Sequence, residues 1–237
     1  MPEIEVISFD GLNRSGKGTQ IKRMKNYLED RGITTYVLRG DGSRKGDGSE
    51  NDPYSEWWKE MQPRLRNKDQ SKDSYDKQWA IASDRLNWEL YHTYHHEIPA
   101  IMDIGITDKA TILLDRSLIS RLFVRQRKDA MTTLDGLLTF SSPSGEEHAV
   151  VLPDISFILH APKEELLGRN RILSDHPDKY EFRKKIITEH YESFERTVWS
   201  IAHPLMNLVH IEGNYDKDDV FREILRSYAK MRGEPYV

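Results

Sequence analysis

Apolar residues gather along this chain in five short runs, Val6–Phe9, Thr34–Leu38, Thr111–Leu114, Ile155–Leu159 and Leu208–Ile211. Each is short and bounded by polar residues, which predicts a strand. Between the runs, apolar positions recur at helical spacing. They predict helices over Gly18–Arg31, Ser55–Arg66, Asp76–Ile104, Leu118–Lys128, Lys163–Arg171, Glu181–Ala202 and Lys217–Met231. Strands alternating with helices imply a parallel sheet covered on both faces, an α/β fold. Ligands in such sheets sit beyond the carboxyl ends of the strands.

Three stretches break the alternation. Residues 40–77 carry Gly42, Gly46 and Gly48 and then many charges, which predicts a loop or insertion. Ser141–Leu152 reads as a turn-rich excursion before the fourth strand. Residues 172–181 lie between two helices and read as a small mobile lid. No repeat is apparent, and 237 residues suit one domain over 1–237.

The charge balance of −4 offers no general attraction for nucleic acid, so any polyanion site is a local basic pocket. The absence of cysteine excludes disulfides, thiolate metal sites and cysteine nucleophiles. No apolar run approaches a membrane span, and the N-terminus reads as a strand, so a cytoplasmic protein is the default expectation.

The first predicted strand runs directly into Gly11-Leu12-Asn13-Arg14-Ser15-Gly16-Lys17-Gly18-Thr19. Glycines let the backbone curl so that several N–H groups point inward. The following helix adds its positive end, and Lys17 adds a full charge. The spacing is that of the P-loop, G-x-x-x-x-G-K, with Gly18 where Ser or Thr is usual. Phosphoryl transfer needs positive charge and aligned donors around the moving group. Arg14, inside the loop, is the first further cation; its bland reading is a solvated loop arginine. Asp115-Arg116-Ser117 follows the third strand, where Asp115 suits the water shell of Mg²⁺ and Arg116 a phosphate. Asp115 as a helix N-cap is equally open. Asp10 is a second carboxylate candidate, against a simple turn role. Arg39 ends the second strand, and Arg85 follows Asp84 on the long helix, where such pairs are usually solvated. His92 and His96 have helical metal-pair spacing but no evident third ligand.

Taken in order, these segments resemble the thymidylate kinase family of nucleoside monophosphate kinases. Asp10 to Gln20 resembles its E-G-x-D-R-x-G-K-S/T-T-Q loop, and Arg39 the arginine of its R-x-P stretch. Ala82-Ser83-Asp84-Arg85 resembles A-x-D/N-R, and Asp115 to Ser120 resembles D-R-Y-x-x-S. Pro153-Asp154-Ile155 is similar to its P-D-L strand, and His176 to Glu181 to the lid's H-E-R-Y-E. The resemblance implies a P-loop NTPase fold, a three-layer α/β/α sandwich around a five-stranded parallel sheet. It implies ATP and Mg²⁺ as cofactors, a nucleoside monophosphate as partner, dTMP first, and a homodimer through helices. ATP would lie on Gly11, Ser15, Gly16, Lys17, Gly18, Thr19, Arg169 and Lys179. The acceptor would meet Asp10, Asn13, Arg39, Ile81, Arg85, Ser117, Ser120 and Tyr180. Arg14, Lys17, Asp115 and Arg116 would be catalytic, and Asp115 and Thr19 would reach the metal, mostly through water.

The departures bear on the substrate. Asn13 stands for a carboxylate, Gly18 for a hydroxyl ligand, Ile81 for a base-stacking aromatic and Ser117 for a tyrosine. Two other readings follow. A deoxynucleoside or modified-nucleotide kinase fits Asp115-Arg116-Ser117, but needs a base at the end of strand one. A nucleotide-binding regulator that lost catalysis fits the departures.

Overall fold

A computed structural model describes residues 3–39, 86–126, 133–142, 144–173, 177–201 and 203–235. All five predicted strands are present: β1 (Glu3–Asp10), β2 (Thr34–Arg39), β3 (Lys109–Asp115), β6 (Ile155–His160) and β7 (Leu208–Glu212). They form one parallel sheet in the order β2-β3-β1-β6-β7. The inner strands are buried along nearly their whole length, as strands covered on both faces must be. The edge strands β2 and β7 are half-buried.

Among the described residues, six helices flank the sheet: α1 (Lys17–Glu29), α2 (residues 86–103), α3 (Leu118–Gln126), α4 (Lys163–Leu173), α5 (Pro177–Ser200) and α6 (Lys217–Arg232). Side chains alternate across a strand, so β1 feeds two cores. Ile7 and Phe9 pack with Met24 and Leu28 of α1 and Ile224 of α6. Val6 faces the other way, toward Leu86, Leu90 and Ile98 of α2. A third core joins Ile119 of α3, Leu166 of α4 and Phe194 of α5. Counted from β1, the chain first builds β2 and β3 on one side and then crosses to β6 and β7 on the other. The carboxyl end of β1 is therefore the switch point, where a crevice opens.

The structure corrects three expectations. Ser141–Leu152 is not only turns: a short antiparallel hairpin, β4 (Thr139–Ser141) with β5 (Glu147–Ala149), occupies part of it. The helix expected from Glu181 starts at Pro177, so much of the expected lid is helical. The last turn of α4 and the first of α5 are tied by Asn170, which is fully buried and donates its Nδ2–H to the Tyr180 carbonyl at 3.0 Å. Third, α2 carries a π-helical segment, Thr93–Glu97, inside the region read as regular helix. The helix expected at 55–66, the insertion at 40–77, Ile81 and Arg85 lie outside the described residues.

Candidate functional site

The P-loop conformation is compelled locally. Gly11 has φ 147°, and a Cβ there would stand 2.6 Å from Ser15 Oγ and 2.7 Å from the Leu159 carbonyl. Gly16, with φ 101°, caps α1. The first turn of α1 holds no acidic side chain, so its positive end is not neutralised from within. Arg14 also takes a positive φ, 72°. From the far side Gly213, at the end of β7, closes on the loop. A Cβ at Gly213 would meet the His160 carbonyl at 2.7 Å and the Ser15 carbonyl at 2.9 Å.

Lys17 is 7% exposed and donates from Nζ to the Gly11 carbonyl at 2.8 Å and the Leu12 carbonyl at 3.0 Å. Burial lowers its pKa to about 7; the nearby Arg116 guanidinium pushes the same way, against Asp115 and Asp10. Arg116 reaches the same carbonyl, Gly11 O, at 3.2 Å and donates to Asn13 Oδ1 at 3.0 Å. Because a guanidinium only donates, this contact fixes the amide orientation of Asn13. Arg169 donates to the Arg14 carbonyl at 3.3 Å and the Gly213 carbonyl at 2.8 Å, and pairs with Glu165. It thus ties α4 to both the P-loop and the β7–α6 turn.

These groups surround a cavity of about 760 Å³ at the switch point. Arg14, Lys17, Thr19, Asp115, Arg116 and Arg169 all line it, as do Asn13, Ser15, Gly16 and Gly18. The contents suit a polyphosphate: a helix end, loop amides and several cations, with Asp115 and Asp216 as the acidic side chains of the lining. Ser15 Oγ is buried and has no hydrogen-bond partner among the described residues. Such an orphan is expected where a ligand completes the set. The fit to Mg²⁺ is of a different kind. A Cβ at Gly18 would meet nothing within 4 Å, so this position has room for a hydroxyl side chain yet supplies none. Asp115 and the Thr19 hydroxyl are the expected oxygen donors that line the cavity, consistent with a metal that keeps most of its waters.

Other expected residues lie outside the lining of this cavity. Asp10, expected to face acceptor or metal, is fully buried and lies outside the cavity lining. Ser117 and Ser120, expected at the acceptor, are buried and donate their hydroxyls to Asp10. Arg39 is exposed at the end of β2, in register with Asp115. Tyr180 is half-buried beside Lys184, away from the cavity lining. The side chain of Lys179 lies outside the described residues. Sequence reasoning missed Gly213, Tyr215, Asp216 and Lys217, which wall the cavity from the β7–α6 turn. The available signal was a glycine directly after the last apolar run. Among the described residues, no three His, Asp or Glu side chains group as a metal site. No described helix is long and apolar enough to cross a membrane.

No family model and no curated protein matches this sequence. Solved structures do. Thymidylate kinase from Candida albicans superposes over 97% of this chain and 93% of its own, with a TM-score of 0.57 at 16% identity. Thymidylate kinase from Ehrlichia chaffeensis does so over 96% of this chain and 100% of its own, with a TM-score of 0.50 at 17% identity. This chain has the thymidylate kinase fold. Its five-stranded parallel sheet and the loop after β1 follow that fold.

Proposed function

We propose that the protein transfers the γ-phosphoryl group of ATP to a nucleoside monophosphate, with dTMP the first acceptor to test. One observation carries the reading: Lys17, Arg14, Arg116 and Arg169 converge with the P-loop on one cavity whose cations outnumber its carboxylates, Asp115 and Asp216. Transfer of a phosphoryl group spreads negative charge over its equatorial oxygens, and fixed donors in a water-poor site stabilise it strongly.

In this reading MgATP, when bound, supplies the activated phosphoryl group and a compensating metal charge. The loop amides and Lys17 hold its phosphates. Arg14 and Arg116, which line the same cavity, would stabilise charge on the transferred group. Asp115 and the Thr19 hydroxyl would hold Mg²⁺ through its waters, and the metal would supply positive charge to the phosphates. Arg169 fixes the loop against α4 and holds the cavity closed toward β7.

The nucleoside kinase reading needs a carboxylate at the end of β1 to deprotonate a sugar hydroxyl. Asp10 stands there, but it is fully buried and its oxygens already accept hydrogen bonds from Ser117 and Ser120. That favours the monophosphate as acceptor. The Candida enzyme is described as having broad substrate specificity, so the decisive assay spans all ribo- and deoxymonophosphates with ATP and Mg²⁺. Turnover of at least one of them supports the proposal. ATP binding without turnover of any would favour a regulator instead, and turnover of nucleosides alone would favour the nucleoside kinase.

A further inference from the structure

Asp10 is a buried carboxylate that the transfer chemistry does not use. Its Oδ1 accepts from the Ser117 backbone N–H at 3.0 Å and from Ser120 Oγ at 2.7 Å. Its Oδ2 accepts from Ser117 Oγ at 2.7 Å and from Ser8 Oγ at 3.3 Å. A carboxylate without exposure persists only when its acceptor capacity is filled in this way. Ser117 and Ser120 bracket the first turn of α3, so Asp10 caps that helix from 107 residues away in sequence.

The residue just before Ser117 is Arg116, and its backbone is unusual. Arg116 has φ 80°, the left-handed region that side-chain-bearing residues seldom adopt. Such a conformation persists when the surroundings over-determine it. Two anchors do so, and they come from consecutive residues of β1. The Arg116 N–H donates to the Phe9 carbonyl at 3.0 Å, and the next residue is held by Asp10. With its backbone so held, Arg116 turns back over the P-loop, and its guanidinium reaches Gly11 O and Asn13 Oδ1.

We propose that Asp10, acting through Ser117 and Ser120, is a positioning residue that holds Arg116 in its left-handed conformation and so aims the guanidinium across the mouth of the P-loop. This rests on the phosphoryl-transfer reading above. It goes beyond that reading in giving the buried carboxylate a role in rate without contact to substrate. The same strand end that begins the phosphate loop thereby also sets the cation opposite it.

The test compares Asp10→Asn, Ser117→Ala, Arg116→Ala and the Asp10→Asn/Arg116→Ala double variant. Asparagine keeps the shape but turns one acceptor into a donor that faces serine donors. The expected result for Asp10→Asn is a kcat about a hundredfold lower with the ATP KM within twofold, the scale of a misplaced catalytic group. Against an Arg116→Ala background the same change should cost little more, because the group it positions is already gone. If the two losses multiply in full, or if Asp10→Asn keeps wild-type kcat, Asp10 does not act through Arg116. If Asp10→Asn does not fold, Ser117→Ala, which keeps the backbone bond, decides instead: an intermediate kcat loss that vanishes in the Arg116→Ala background supports the proposal, and an unchanged kcat overturns it. A readout without substrate separates this proposal from the function it rests on. The Arg116 Nε–H NMR signal of the free protein should shift in Asp10→Asn. A shift in an enzyme that turns over no monophosphate would sink the transfer reading and leave the positioning intact; no shift overturns the positioning itself.

Discussion

Lys17 is a buried cation at the centre of the phosphate loop. It is buried, its amine is held by two loop carbonyls, and its pKa falls to about 7. A cation in that state is only partly protonated near neutral pH. A bound polyphosphate would favour the charged form, so binding of ATP near pH 8 should take up close to one proton. Calorimetry in buffers of different ionisation enthalpy measures this directly. ATP affinity should correspondingly weaken as pH rises above about 7, and Lys17→Met should abolish both the uptake and that slope. In turnover, Lys17→Ala should lower kcat by roughly two to three orders of magnitude, the range seen when one donor to a transition-state charge is lost; near-normal kcat would refute the placement. Gly18 makes a complementary case. It lies in the first turn of α1 with open space where a side chain would go. Gly18→Ser should raise stability by about 0.5 kcal/mol through helix propensity. If Mg²⁺ binds beside it, the added hydroxyl should also lower the Mg²⁺ concentration for half-maximal activity, measured by titration at fixed ATP.

At the scale of elements, what was legible in the sequence was what local pattern controls. Five strands were readable because sheet burial leaves compact apolar runs. The P-loop was readable because its glycines, Lys17 and the strand before it are contiguous. The hairpin β4–β5 was not, because three-residue strands are too short to show alternation. Pro177 was read as part of a lid, although proline is favoured in the first turn of a helix and here begins α5. The bonds of Ser117 and Ser120 to Asp10 and the turn at Gly213 are illegible for another reason: their partners are brought together only by sheet order. The same holds for a chain of rings between β6, β7 and α5. His160 on β6 bonds Glu195 of α5 through Nδ1 at 2.8 Å and His210 of β7 through Nε2 at 2.7 Å. Trp199 of α5 stacks on His210 at 3.8 Å. Burial lowers the His210 pKa, and the His160 beside it adds to the effect, against Glu195. At His210 the folded state therefore binds fewer protons than the unfolded chain, so this group alone makes stability fall as pH drops through 6.5. Urea midpoints should be lower at pH 5.5 than at 7.5. In His210→Gln, which still offers His160 a hydrogen bond, that difference should shrink; an unchanged difference would place the acid sensitivity elsewhere.

At the scale of the molecule, the two ends of the sheet are divided by task. The carboxyl ends of the strands hold the cavity, and the amino end of β1 holds a latch that fastens α6 to the sheet. There Tyr228 donates its hydroxyl to Glu5 Oε2 at 2.6 Å, and Arg232 donates to Glu5 Oε1 at 3.2 Å and to Glu3. Glu5 is buried, and desolvation raises its pKa against the pull of Tyr228 and Arg232. A raised carboxyl binds more protons folded than unfolded, so this group alone makes stability decline as pH rises through the window above 4.5. Removing one partner leaves the charge less compensated. Tyr228→Phe should therefore cost about 1–3 kcal/mol at pH 7, the penalty for an unsatisfied buried acceptor. The cost should shrink at pH 5, where protonation of Glu5 relieves it. Glu5→Gln combined with Tyr228→Phe should lose that pH dependence. Because the latch lies at the opposite end of β1 from the P-loop, the ATP KM of folded Tyr228→Phe protein should stay within twofold of wild type. Thermal melts at the two pH values and a steady-state ATP titration check both halves. A large rise in the ATP KM would mean that strain at the amino end of β1 reaches the loop, and that the sheet does not separate its two ends.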